Sequence, residues 1–131
     1  MDLREKWNDY RINRLIACAW FVIITILTLS PHVHTPTIVT WQDKLEHMVA
    51  FGILSLFICR SFNPATRYSP MDRVLTAMVI VTLYGALDEI MQGFVPSRDA
   101  SIGDLAADLS GAFLGGISFL YIPFLNNIRK E

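Results

Sequence analysis

Two stretches of this chain contain no charged side chain at all: residues 15–42 and 109–128 are free of Asp, Glu, Lys and Arg. Charge is sparse throughout, at 18% of 131 residues, against roughly 25% in ordinary globular domains. Hydrophobic residues make up 53% and the mean hydropathy is +0.40. A formal net charge of -1 withholds the basic footprint that nucleic acid requires, so no nucleic-acid partner is expected. Cysteine is scarce too, and Cys18 and Cys59 both lie in apolar stretches. They read as small buried hydrophobes, not as a disulfide framework or a zinc site. There is no internal repeat, low-complexity tract, nucleophile motif or phosphate loop. What remains is a single 1–131 domain dominated by apolar runs, and such runs read as membrane spans.

The first run, 12–30, follows a basic start (Arg4, Lys6, Arg11, Arg14) and leads into Pro31-His32-Val33-His34 with no small-residue cleavage site, so an uncleaved span is expected. The last, 105–125, is 21 residues long and crosses a core of about 30 Å unaided. Between them the apolar cores 48–59 and 74–87 are too short by themselves. Continued through polar residues they become spans 43–62 and 74–95, and those polar extensions then need shelter from lipid. Ser69-Pro70-Met71-Asp72 supplies an N-cap serine, a first-turn proline and an acid at the third helical position. Thr40 to Asp43 and Ser101 to Asp104 repeat the pattern.

Basic residues set the direction. The N-terminal segment, the 60–73 connection (Arg60, Arg67, Arg73) and the C-terminal segment (Arg129, Lys130) hold nine of the 11, leaving Lys44 and Arg98 for the two intervening loops. The expectation is an all-α polytopic membrane protein: four transmembrane helices in a compact bundle with both termini cytoplasmic. Leu3, Trp7 and Tyr10 fit either a short interfacial helix or a frayed terminus.

This topology brings ionisable groups of three spans to the outer side. The second carries Asp43, Lys44, Glu46 and His47, the third Asp88, Glu89 and Gln92, and the fourth Asp104 and Asp108, with Arg98 in the loop between the last two. Ionised groups facing lipid are costly, so these should face inward. At about 100° per residue, Asp104, Asp108, Gly111 and Gly115 share one stripe, with the glycines admitting a neighbouring helix closely. A polar cavity between the second, third and fourth spans, open to the outside, follows as an expectation.

Each residue carries a structural and a functional reading. Asp43 and Asp104 complete capping boxes or line the cavity. Lys44 and Glu46 reach interfacial water. His47 lies within hydrogen-bond reach of Asp43, one turn away, and either holds that bond or transfers protons. Asp88 and Glu89, adjacent in sequence, should repel and perturb one another. Arg98 either pairs with one of seven outer acids or binds a ligand phosphate or carboxylate. Gly111 and Gly115 read as packing residues, and His32 and His34 as ordinary loop histidines. No metal site and no cofactor is expected from the spacing, although the composition admits a divalent cation.

Asp43-Lys44-Leu45-Glu46-His47, then Asp88-Glu89-Ile90-Met91-Gln92-Gly93-Phe94-Val95-Pro96-Ser97-Arg98, then Asp104-x-x-x-Asp108-x-x-Gly111 resembles the VanZ-like family of small integral membrane proteins, over about residues 41–116. Many relatives have Gly at the position of Ser97 and Asn at that of Asp108. The resemblance implies a multi-pass protein of the bacterial cytoplasmic (inner) membrane, and the family's namesake is associated with resistance to the glycopeptide teicoplanin.

The leading functional expectation is a cell-envelope protein that binds or remodels the head group of an envelope lipid or precursor, through Asp43, Lys44, His47, Glu89, Gln92, Arg98, Asp104 and Asp108. A membrane-embedded hydrolase or transferase acting on a lipid phosphate is the alternative, with His47, Asp88 and Glu89 as candidate catalytic residues. A structural membrane subunit is a third reading. Transport is disfavoured by four helices without inverted repeats. The bilayer is the one partner expected from composition alone.

Overall fold

A computed structural model of the chain describes residues 9–30, 41–96 and 100–128, with side chains as far as Tyr121. The described residues form four helices and no strand: α1 (Tyr10–Leu29), α2 (Gln42–Arg60), α3 (Pro70–Gln92) and α4 (Ile102–Ile128). The expected all-α architecture is therefore present. Leu3, Trp7, His32, His34, Thr40, Ser97, Arg98, Asp99, Arg129 and Lys130 lie outside the described residues. Two of the helices, α1 and α3, are long and apolar enough to cross a membrane.

Helix limits follow local chemistry. The Asp9 carboxylate accepts the Arg11 N–H at 2.8 Å and caps α1. At α3 both halves of a capping box are made: Ser69 Oγ accepts from the Asp72 N–H at 3.1 Å, and Asp72 Oδ2 accepts from the Ser69 N–H at 2.8 Å. The helix thus starts at Pro70, four residues before the apolar span expected from hydropathy. It stops at Gln92 instead of Val95. Phe94 and Val95 turn back on the Met91 and Gln92 carbonyls (3.1 and 2.9 Å), a tightening imposed by Pro96, which disfavours helical geometry in the residue before it. α2 begins after Trp41, which provides no side-chain cap; the cap expected of Thr40 lies outside the described residues.

The outside of the bundle is apolar. On α3, Leu75, Val79, Leu83, Leu87 and Ile90 form one exposed stripe, while Val74, Ala77, Val81, Asp88, Glu89 and Gln92 face inward. This inverts the amphipathicity of a helix on a water-soluble protein. α1 repeats the pattern with Leu15, Val22 and Ile26 exposed around a buried Ala17 and Ile24. Cys18 is exposed on this surface, correcting its expected burial; Cys59 is buried, and both are free thiols.

Inside, α2 and α4 are in backbone contact. A Cβ added to Gly111 would overlap the Met48 carbonyl oxygen, one added to Gly115 would overlap the Gly52 carbonyl oxygen, and one on Gly52 would sit 3.1 Å from the Gly111 carbonyl oxygen. Ser55 Oγ closes the seam by donating to the Ala112 carbonyl at 2.8 Å. The packing role expected of Gly111 and Gly115 is thereby explained by a partner, Gly52. α1 leans on this pair through Trp20 Nε1, which donates to the Ala50 carbonyl at 2.9 Å.

Because the obstructing atoms along this seam are backbone, Gly115→Ala should destabilise the folded chain by about 1–3 kcal/mol. Gly93→Ala, whose Cβ would meet only ordinary contacts of 3.4 Å and beyond, should stay within about 1 kcal/mol of the parent. Thermal unfolding in detergent measures both, and equal stability of the two variants would contradict the seam.

Candidate functional site

The glycine seam carries His47 on α2 up to Asp108 on α4. His47 Nδ1 and Asp108 Oδ1 lie 3.0 Å apart, with both side chains buried. The hydrogen bond expected between His47 and Asp43 is therefore not the one formed. Asp43 is exposed, one turn toward the helix start, whereas the imidazole turns into the bundle and stacks near Phe51, ring centroids 6.0 Å apart. Asp108 Oδ2 occupies space that Gly85 on α3 leaves open, 2.7 Å from where a Cβ would sit. That oxygen is buried and has no hydrogen-bond partner.

The adjacent acids of α3 serve different neighbours. Successive residues on a helix point about 100° apart, so Asp88 and Glu89 are not stacked on one another as expected from adjacency. Asp88, with no exposed surface, accepts from Thr28 Oγ1 of α1 at 2.7 Å and from Gln92 Nε2 at 2.8 Å. Glu89 reaches the start of α4, where its Oε2 accepts the Ser101 N–H at 2.7 Å. Its Oε1 is buried and has no partner.

Glu89 thus takes the place expected of Asp104. In a closed capping box the acid at the third helical position would accept the N-cap N–H. Here Ser101 Oγ accepts from the Gly103 N–H at 3.2 Å, the Ser101 N–H goes to Glu89, and Asp104 is released to pair with Lys44 at 2.9 Å. Lys44 is half-exposed while Asp104 is buried, so the ammonium sits at the rim. Gln42 Nε2 donates to Glu46 Oε1 at 2.9 Å on the exposed side of the same turn.

The structure therefore brings together Lys44, His47, Asp88, Glu89, Gln92, Asp104 and Asp108. Asp43 stands at the margin and Arg98 lies outside the described residues. Two sets of donor atoms, each mutually within 4.8 Å, emerge: His47, Glu89 and Asp108, all buried, and Asp43, His47 and Asp104 nearer the surface. Within this cluster Asp88 and Asp108 are fully buried, and His47 and Glu89 are only 7% exposed. An open depression of about 610 Å³ lies at the start of α3, lined by Arg67, Tyr68, Asp72, Leu75 and Thr76, and includes no member of the cluster.

Thr28, Gly85 and the Ser101 backbone are absent from the sequence-derived set. Thr28 has a signal in the sequence: Thr25 and Thr28 are the two threonines near the C-terminal end of a largely apolar first helix, at a spacing that puts them on one helix face. Thr25 Oγ1 does bond Tyr84 Oη of α3, at 2.8 Å. Gly85 and the Ser101 N–H carry no comparable signal, because each acts through space or backbone that only the packed helices define.

Chemically, the cluster is a set of acceptors held rigidly around an imidazole. Carboxylates can take cations or hydroxyl and amine donors. A histidine oriented by a carboxylate is suited to moving a proton.

A protein-family model described as VanZ/LLP1 matches residues 5–125. No curated protein and no solved structure matches the chain.

Thr28→Val keeps shape but removes the donor to a fully buried carboxyl oxygen. It should cost about 1–3 kcal/mol, read as a lowered thermal midpoint in detergent. Thr25→Val, which leaves the Tyr84 hydroxyl its bond to the Phe21 carbonyl at 3.1 Å, should cost less. The reverse order would show that α1 does not hold Asp88.

Proposed function

The chain belongs to the VanZ/LLP1 family, and from that premise we propose that it is a four-span protein of the bacterial cytoplasmic membrane whose outer polar cluster engages the head group of an envelope lipid or lipid-linked precursor. Both termini lie in the cytoplasm in this reading, and residues 1–131 act as one membrane domain. The distribution of Lys and Arg supports the orientation, and the exposed apolar stripes of α1 and α3 support immersion in lipid. A link to glycopeptide resistance of the teicoplanin kind belongs to the same proposal.

The observation that carries it is the concentration of four buried carboxyl groups, Asp88, Glu89, Asp104 and Asp108, at one end of the bundle. Ionisable groups inside a membrane protein are costly and mark the paths or sites of polar ligands. Envelope head groups combine phosphate with hydroxyl and amine donors. Lys44 and Arg98 supply the cationic contacts that phosphate needs. The carboxylates, as pure acceptors, suit the hydroxyl and amine groups. Gln92 offers a side-chain amide beside them, and Asp43 extends the acceptor set to the surface.

One distance favours a second reading. The buried His47–Asp108 pair at 3.0 Å is the arrangement of a general acid or base with its orienting carboxylate. On that reading the protein is a hydrolase or transferase of lipid phosphates, with Asp88 and Glu89 completing the candidate catalytic set.

Native mass spectrometry after mild extraction tests the first reading. A co-purifying lipid mass should appear with the parent chain and be lost in Arg98→Ala, with the fold retained. A chain that stays empty when envelope lipids are added would refute it. Turnover of a phospholipid or polyprenyl phosphate that disappears in Glu89→Gln would establish the second. Substitutions at His47, Glu89, Arg98 and Asp108 that lower thermal stability and nothing else would reduce the cluster to a structural role.

A further inference from the structure

We propose that His47, Glu89 and Asp108 form a binding site for a single divalent transition-metal cation of the Mn²⁺ or Zn²⁺ class. The proposal goes beyond the head-group reading and needs no lipid to be bound.

The three residues come from three helices, α2, α3 and α4, and offer donor atoms that all lie within 4.8 Å of one another in a buried position. Proximity of acids alone would prove little. What singles out this trio is the state of its oxygens. Of the four buried carboxyl groups, Asp88 is bonded through both oxygens and Asp104 holds the Lys44 ammonium. Glu89 and Asp108 each keep one oxygen bonded within the protein, Oε2 to the Ser101 N–H and Oδ1 to His47. The other oxygen of each, Glu89 Oε1 and Asp108 Oδ2, is buried with no partner. Half-bonded carboxylates are what metal ligands look like: one oxygen is oriented by the protein and the other faces the ion. Buried polar atoms left alone are rare in folded proteins, and a cation satisfies both at once.

Charge points the same way. Four carboxyl groups face one Lys and one His among the described residues, and a divalent ion offsets the excess where it is most buried. One imidazole nitrogen with two carboxylate oxygens is an intermediate donor set. It is softer than the oxygen cages that Mg²⁺ and Ca²⁺ prefer, and it lacks the sulfur that selects Cu⁺. Metal–ligand bonds of about 2.0–2.2 Å require donors roughly 3.0–3.5 Å apart, so a pair at the 4.8 Å limit would close by roughly 1.3–1.8 Å. Ligation needs a neutral imidazole and ionised carboxylates, so uptake of the ion releases protons.

The test uses the full chain in detergent, stripped with a chelator and dialysed against Mn²⁺ or Zn²⁺. Metal content is read by elemental mass spectrometry, and Mn²⁺ also by its electron paramagnetic resonance. The parent should retain one ion per chain, gain thermal stability in its presence and release protons into weak buffer on binding. Glu89→Gln and Asp108→Asn should each lower affinity by at least about tenfold. Glu46→Gln, exposed on the outer side of α2, should bind as the parent does. Should either site variant fail to fold, ion stoichiometry and proton release in the parent chain decide the matter. No retained ion, or retention that survives both site substitutions, overturns the proposal. Lipid co-purification measured on the stripped and loaded chains reports separately, so the metal site and the head-group reading stand or fall independently.

Discussion

The backbone contact between α2 and α4 is the constraint from which the rest follows. Gly52, Gly111 and Gly115 remove the side chains that would hold the two helices apart, and the Met48 and Gly52 carbonyls fill the space. His47 is the residue before Met48, and Asp108 lies one turn before Gly111, so the seam that joins the helices also fixes the imidazole against the carboxylate. A cluster assembled this way is positioned by main chain, not by flexible side chains, and a functional constellation requires that rigidity. Gly85 plays the same part from α3 by leaving room for Asp108 Oδ2.

Much of this was readable from the chain. Long apolar runs, capping residues and the shared stripe of Asp104, Asp108, Gly111 and Gly115 point to a helical bundle with inward acids. Its cluster holds Lys44, His47, Asp88, Glu89, Gln92, Asp104 and Asp108 together. What escaped was the pairing. Sequence spacing sees neighbours within a helix, so it joined His47 to Asp43 and Asp104 to its own cap. The folded chain prefers partners across helices, His47 with Asp108 and Asp104 with Lys44. Glu89 capping α4 from α3 replaces a local interaction with a tertiary one that no single-helix pattern encodes. Thr28 is hard to read from sequence because a hydroxyl in an apolar helix ordinarily bonds its own backbone, and the Ile24 carbonyl, 2.9 Å away, competes with Asp88 for its one proton.

The bundle is organised inside out with respect to a water-soluble protein. Leu75, Val79, Leu83, Leu87 and Ile90 cover the surface of α3, while Asp88, Glu89 and Gln92 occupy its interior at one end. The hydrophobic effect drives such a surface into lipid and gives little preference for one helix contact over another once there. Specific association then rests on close packing and polar contacts. Here the glycine seam and the Ser55 and Trp20 hydrogen bonds run along the middle of the bundle, apart from the acids gathered at its end.

That separation bears on why the acids are there. Interhelical hydrogen bonds in membranes are worth about 0.6 kcal/mol on average. A buried polar atom left without a partner costs about 1–3 kcal/mol, more when charged. If the cluster existed to hold helices together, Asp88 would be a reasonable member, since both its oxygens are used. Glu89 and Asp108 would be poor ones, each giving one hydrogen bond and leaving one oxygen stranded. Glutamine and asparagine at those two positions would remove the charge and supply donors of their own. Two stranded oxygens beside the same imidazole make sense as an arrangement awaiting a positive charge or a donor from outside the chain.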